Sequence, residues 1–281
     1  MTVPEPLITG SQQRAPARVL SIAGSDSGGG AGIQADIKAI TALGGYAMTA
    51  ITALTAQNTL GVQGIYPVDP DFLRLQIRSV LNDLGTDAFK TGMVGGPAEI
   101  RVVAQEITAY RQQNVQTLFV LDPVMVAKGG AALLAKDAIS TLKAYLFPLA
   151  TVLTPNLPEA ERLTGRSVET IQDMRVAARH LREETGAAVL LKGGHLSGDD
   201  LVDVLLDDTG FTEFADKRIP TRHTHGTGCT LASALATLLA QNHAMADAIS
   251  LSRQYVRNAI LTAPGLGHGA GPLWHAHPFR K

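Results

Sequence analysis

The chain concentrates its chemistry in the run Thr221-Arg-His-Thr-His-Gly-Thr-Gly-Cys229, which leads into Thr230-Leu-Ala-Ser-Ala-Leu-Ala-Thr-Leu-Leu-Ala240. The second part consists of small and apolar helix formers, so Gly226, Thr227 and Gly228 are expected to form the turn that opens a helix. The first amides of such a helix have no internal partner, and glycines let them converge on one point. Together with the helix dipole they make a site for an anion, above all a phosphoryl group. The chain's one cysteine, Cys229, falls at the same place. Two readings of it stand: a thiol shifted toward thiolate by the helix terminus, or a small, inert core residue beside a tight turn.

Other polar residues close apolar runs, where ligands gather outside the carboxyl ends of parallel strands. Asp122 follows Leu118-Phe-Val-Leu121, and Lys192 ends Ala187-Ala-Val-Leu-Leu191. Each alone reads as the point where a strand meets water; together, beside an anion hole, they suggest a metal-side carboxylate and a phosphate-side cation. Asn156-Leu-Pro-Glu159 forms a helix capping box. It also aims two oxygen-bearing side chains at the strand ends, where Mg²⁺ can be held directly or through water. Gln57, just past an apolar run, offers a donor and an acceptor side by side, the complement of an amino group next to a ring nitrogen. It also reads as a loop-stabilising residue.

The Gly-rich segment Gly24-Ser-Asp-Ser-Gly-Gly-Gly-Ala-Gly32 is not a dinucleotide fingerprint, because Ile33 stands at the third glycine position and no acidic residue follows at the usual distance. No Gly-Lys-Ser/Thr occurs, so there is no Walker A loop. The pairs His223/His225 and His275/His277 lack an accompanying carboxylate or thiol set and read as solvated histidines.

The elements that must position these residues follow from the apolar periodicity. Strands are expected at 18–24, 47–54, 88–92, 118–122, 151–154 and 187–192. Helices are expected at 33–43, 71–84, 97–113, 136–146, 171–185 and 245–262. The alternation predicts an α/β fold with a mainly parallel sheet covered on both faces. Residues 201–206 and 211–219, joined through Asp207-Asp-Thr-Gly210, predict a hairpin forming an antiparallel edge, which leaves room for a homodimer. Residues 1–16, rich in Pro, Gln and Ser, are expected to form a flexible tail, and 17–281 one domain. A formal charge of −1 without a basic run argues against nucleic acid and points to a small-molecule partner. One cysteine, no signal-peptide layout and no apolar stretch of spanning length predict a cytoplasmic protein with no membrane association.

The segments Ala23-Gly-Ser-Asp-Ser-Gly-Gly-Gly-Ala-Gly-Ile-Gln-Ala-Asp36, Ala53-Leu-Thr-Ala-Gln-Asn-Thr59, Lys90-Thr-Gly-Met93, Leu121-Asp-Pro-Val-Met125, Thr154-Pro-Asn-Leu-Pro-Glu-Ala160, Lys192-Gly-Gly-His195 and His225-Gly-Thr-Gly-Cys229 resemble the hydroxymethylpyrimidine/phosphomethylpyrimidine kinases of thiamine biosynthesis. The resemblance runs from about Arg18 to the C-terminal His275-Ala-His277. It implies the ribokinase-like three-layer α/β/α sandwich and an ATP- and Mg²⁺-dependent kinase acting on 4-amino-5-hydroxymethyl-2-methylpyrimidine and then on its monophosphate. By the same resemblance Asp36, Gln57, Met93 and Val124 line the pyrimidine pocket. Asp122, Asn156, Glu159 and Lys192 serve ATP and Mg²⁺, with Asp122 and Glu159 acting on the metal through water, and Gly226, Thr227, Gly228 and Cys229 form the anion hole. Many members of the superfamily carry an aspartate base where this chain has Cys229. The alternatives are a pyridoxal/pyridoxine kinase of the same superfamily, against which Gln57 argues, and a non-catalytic vitamer-binding regulator, against which the retained Asp122, Asn156, Glu159 and Lys192 argue.

Overall fold

The computed structural model describes residues 15–125, 136–196 and 198–279. The tail expected at 1–16 therefore lies almost wholly outside the described residues. In chain order the elements that frame the site are β1 (Arg18–Asp26), α1 (Gly32–Ala42), β2 (Tyr46–Asn58), β3 (Gly61–Pro67), α2 (Pro70–Asp83), β4 (Ala88–Thr91), α3 (Pro97–Arg111), β5 (Leu118–Leu121), α4 (Lys136–Tyr145), β6 (Val152–Leu153), α5 (Leu157–Thr164), α6 (Ile171–Thr185), β7 (Ala188–Leu191), β8 (Asp200–Asp207), β9 (Gly210–Lys217), α7 (Thr227–Ala240) and α8 (Met245–Leu261). The strands form one sheet in the order β3-β2-β1-β4-β5-β6-β7-β8-β9. Neighbours from β2 to β7 run parallel, and the β8–β9 hairpin adds antiparallel to β7.

The two faces of the sheet are covered by different helices, which gives the three-layer α/β/α sandwich. Leu20, Ile22, Phe89, Phe119 and Leu121 pack against α2 to α6. Val19, Ala88, Val120, Val152 and Leu190 point the other way, toward Ile40 of α1 and the apolar face of α7 and α8. The short central strands are buried on both faces, as parallel strands between two helical layers must be. Local chemistry sets several helix ends. Thr170 and Asp173 close a capping box at the start of α6, and Gly186 ends it in the left-handed conformation at φ 69°. Among the described residues no helix is long and apolar enough to cross a membrane.

The structure departs from expectation at one edge. The strand expected to end at Leu54 continues to Asn58 and turns into β3, which pairs antiparallel with it. Most of β3 is exposed and it carries glycines at 61 and 64, so it has no alternation of buried and exposed residues from which a strand can be read. Gln57 therefore sits on a strand, not in a loop. The register shifts between Ala56 and Gln57, and such an irregularity re-aims the side chains next to it.

Candidate active site

The carboxyl ends of β1, β2, β4, β5 and β7 open on a cavity of about 480 Å³. A second cavity of about 480 Å³ lies beside it, under the β8–β9 hairpin and α8. The two share Asn156, Lys192, His195, Thr224, Thr227 and Gly228. The size of each suits a small organic ligand.

The wall between them is the turn into α7. Gly226 is the residue before the helix and adopts φ 84°, and a side chain there would meet the carbonyl oxygen of Gly30. Conformation and space both require glycine at this position. The amides of Thr227, Gly228 and Cys229 open the helix, so they lack partners within it. Lys192 reaches the same turn: its Nζ donates to Asp122 Oδ1 at 2.8 Å, and a Cβ on Gly228 would sit 3.5 Å from that Nζ. Burial opposes the charge on Lys192, but Asp122 and Glu159 outweigh it and hold the ammonium above its ordinary range. Asp122 also accepts from Thr154 Oγ1 at 3.1 Å.

The capping box at α5 is formed. Asn156 Oδ1 accepts the Glu159 amide at 2.9 Å, and Glu159 Oε2 accepts the Asn156 amide at 2.8 Å. Glu159 is 5% exposed. Burial pushes its carboxyl up to about 7, against the pull of Lys192 and with the push of Asp122. Among the described residues no group of three or more His, Cys, Asp or Glu side chains is arranged to hold a metal ion.

Gln57, Met93 and Val124 all line the first cavity. Gly24 makes room for Met93, whose terminal methyl carbon would lie 2.3 Å from a Cβ there. Asp36 is the correction. It does not line the cavity; it is wholly buried beneath it, where Lys90 Nζ donates to both its oxygens at 2.8 and 2.9 Å. Ser21 and Ser233 complete its coordination at 2.6 and 2.7 Å. Its position on α1 turns it toward the sheet, and a buried carboxylate must take its partners there.

Cys229 faces the first cavity, where burial works against the thiolate that the helix terminus favours. Burial pushes its thiol up to about 11, opposed by Lys90 and by the Gly32 amide that donates to the sulfur, and reinforced by Asp36 and Asp122. The histidines also differ from expectation: His225 is 8% and His275 5% exposed. His225 Nε2 lies 2.9 Å from Asp26 Oδ2, tying the Gly-rich loop to the anion hole. Asp26, Lys90 and His225 were not legible as site residues, because each finds its meaning in a partner distant in the chain. The alternative clue was the wording of the motifs themselves, Gly-Ser-Asp, Lys-Thr-Gly-Met and His-Gly-Thr-Gly-Cys.

Known proteins resemble this chain in sequence and in fold. The thiamine biosynthesis bifunctional protein of Geobacter sulfurreducens is 51% identical over 257 residues, 92% of this chain and 52% of that protein, so the chain spans about half its length. The hydroxymethylpyrimidine/phosphomethylpyrimidine kinase of Bacillus subtilis is 45% identical over 259 residues, covering 92% of this chain and 94% of its own. Among solved structures, an ADP complex of Bacillus subtilis pyridoxal kinase superposes with a TM-score of 0.86 at 36% identity, over 95% of this chain and 100% of that one. Phosphomethylpyrimidine kinase from Clostridium difficile superposes with a TM-score of 0.76 at 39% identity, over 87% and 99%. A model of the phosphomethylpyrimidine kinase family matches residues 26–274, and with these relatives it establishes that the chain belongs to that family.

Proposed function

We propose that this chain is a cytoplasmic kinase that transfers the γ-phosphoryl group of ATP to the hydroxymethyl oxygen of 4-amino-5-hydroxymethyl-2-methylpyrimidine, and then a second phosphoryl group to the monophosphate, for thiamine biosynthesis. The observation that carries this reading is the α7 turn shared by two cavities, with Lys192 beside it. A nucleotide in one cavity and an alcohol in the other meet at the same amides. Leu231, Val256 and Ile260 give the second cavity apolar surface for a base, and Gln57, Met93 and Val124 hold the pyrimidine in the first.

Phosphoryl transfer asks the protein chiefly for alignment and for positive charge where negative charge develops. Lys192 and the amides of Thr227 to Cys229 provide both. In the first reaction the hydroxymethyl oxygen forms the new bond to phosphorus, the bond to the ADP oxygen breaks, and the alcohol proton passes to the thiolate form of Cys229, whose own proton has gone to water. In the second, a phosphate oxygen already ionised is the nucleophile and needs no base. The donor chemistry fits Mg²⁺: Asp122 and Glu159 set two carboxylates in the lining of the first cavity and would hold the ion directly or through water. When bound, it would neutralise phosphate charge. The likeness to pyridoxal kinases supports a second reading, pyridoxal as substrate. Phosphorus NMR of protein, ATP, Mg²⁺ and the pyrimidine alcohol tests the proposal: monoester and then diphosphate signals are expected, and unchanged ATP would leave only a vitamer-binding role.

A further inference from the structure

The first cavity is also lined by Arg162, which the transfer chemistry above does not use. It lies on α5, where Pro158, Glu159 and Arg162 are four and three residues apart and so share the face turned to the cavity. The helix begins beside the anion hole: the Lys192 amide donates to the Pro155 carbonyl at 2.8 Å, and Asn156 and Lys192 form a parallel bridge. From Asn156 to Arg162 the helix axis advances about 9 Å. Side chains on a helix lean back toward its N-terminus, so the long arm of Arg162 closes much of that gap.

The other cationic groups of the cavity wall are engaged. Lys192 holds Asp122 at 2.8 Å, His225 lies 2.9 Å from Asp26, and His195 has a partner of its own. Arg162 makes no hydrogen bond, ion pair or ring contact with any of the described residues. Glu159, one turn before it, is turned away, with Oε2 accepting the Asn156 amide. An exposed arginine without a partner is commonplace on a protein surface; this one opens on a ligand cavity. It lines the first cavity and not the second. With the γ-phosphoryl group at the shared turn and the rest of the nucleotide in the second cavity, the anion that Arg162 meets belongs to the acceptor. The pyrimidine alcohol carries none. Its monophosphate carries a charge of about −1.5 to −2 near neutral pH, by analogy with phosphorylated side chains, and must bring it against the γ-phosphoryl group beside Asp122.

We infer that Arg162 binds the phosphate of the monophosphate substrate and so serves the second transfer in particular. Its planar fork pairs with two phosphate oxygens. The third forms the new bond to the γ-phosphorus while the bond to the ADP oxygen breaks, and ADP leaves with that electron pair. The first transfer offers the fork no oxygens to pair with. This inference rests on the aminopyrimidine reading of the first cavity.

Steady-state kinetics of the full chain, with saturating ATP and Mg²⁺ and each pyrimidine in turn, compares wild type with Arg162→Gln. The ratio of kcat/KM for the monophosphate to that for the alcohol should fall by about tenfold, mostly through KM, the lower end for a charge-assisted bond reached by solvent. Arg162→Lys, which keeps the charge and loses the fork, should recover part of the ratio. An unchanged ratio in Arg162→Gln, an equal loss toward both substrates, or a lysine variant no better than glutamine overturns the proposal. If the wild-type protein phosphorylates neither pyrimidine, the substrate reading fails, and the phosphate site is then tested alone. Inorganic phosphate is titrated into the complex of the full chain with Mg²⁺ and a non-hydrolysable ATP analogue and followed by phosphorus NMR. The analogue fills the anion hole, so broadening of the phosphate signal that Arg162→Gln removes is expected; equal broadening in both proteins, or none in either, overturns the site.

Discussion

Replacing Lys90 with Met removes the positive half of an ion pair from which water is excluded. Both side chains are 0% exposed, and the ammonium lies 2.8 and 2.9 Å from the two Asp36 oxygens. Methionine fills nearly the same volume, so cavity formation contributes little. The main effect is the carboxylate left behind. Breaking such a pair from one side typically costs about 3–5 kcal/mol. Asp36 keeps the hydroxyls of Ser21 and Ser233 at 2.6 and 2.7 Å, which puts the expectation at the lower end, about 3 kcal/mol. Removing both charges in Lys90→Met/Asp36→Leu should recover part of this loss, because no unpaired charge remains and only the Ser21 and Ser233 hydroxyls lose a partner. Urea unfolding of the wild type, the single variant and the double variant measures it. A single variant within about 1 kcal/mol of wild type, or a double variant less stable than the single, would refute the reasoning from a buried, mutually dependent pair.

Three further outcomes are expected. Gln57→Ala leaves polar atoms of the bound pyrimidine unpaired, so its KM should rise by an amount on the order of 1–3 kcal/mol while the ATP KM stays nearly constant; an equal loss toward an analogue without the amino group would show that Gln57 does not read the amine. The Glu159 carboxyl is raised from 4.5 to about 7 in the fold, so its contribution to stability is fully present below pH 4.5 and is lost as pH rises through about 7. Metal-free Glu159→Gln should escape that loss and gain on wild type in urea unfolding above neutrality; its activity should demand more Mg²⁺, and a wild-type Mg²⁺ titration in the variant would remove the metal role. With the Cys229 thiol near 11, the thiolate fraction grows about tenfold per pH unit below that value. The rate of alcohol phosphorylation should therefore climb with pH and that of monophosphate phosphorylation should not, and Cys229→Ser should flatten the first profile; identical profiles for both steps would leave Cys229 a role only in shaping the anion hole.

Features that depend on neighbours in the chain were legible before the structure. The helix over 171–185 was bounded by its apolar spacing, and Leu201 to Leu206 with Phe211 announced the β8–β9 hairpin. Asn156 and Glu159 were readable as a cap because a cap is local. What failed depends on partners remote in sequence. Asp26 and His225 are 199 positions apart, and nothing around His225 in the sequence distinguishes a buried ring from a solvated one. Asp36 and Lys90 are 54 apart; the motif containing Asp36 suggested a pocket wall, whereas the fold turns it toward the sheet. For Cys229 the missing part is energetic: the helix terminus that favours a thiolate is visible in sequence, but the burial that works against it is not.

The central claim is that the two cavities joined at the α7 turn serve ATP and an aminopyrimidine. It is tested most directly by measuring kcat/KM for the aminopyrimidine alcohol, its monophosphate and pyridoxal side by side, with saturating ATP and Mg²⁺. The account predicts turnover of both pyrimidines, with pyridoxal at least about tenfold poorer for want of the amine that Gln57 pairs. Preference for pyridoxal, or ATP consumption that none of the three stimulates, would contradict it.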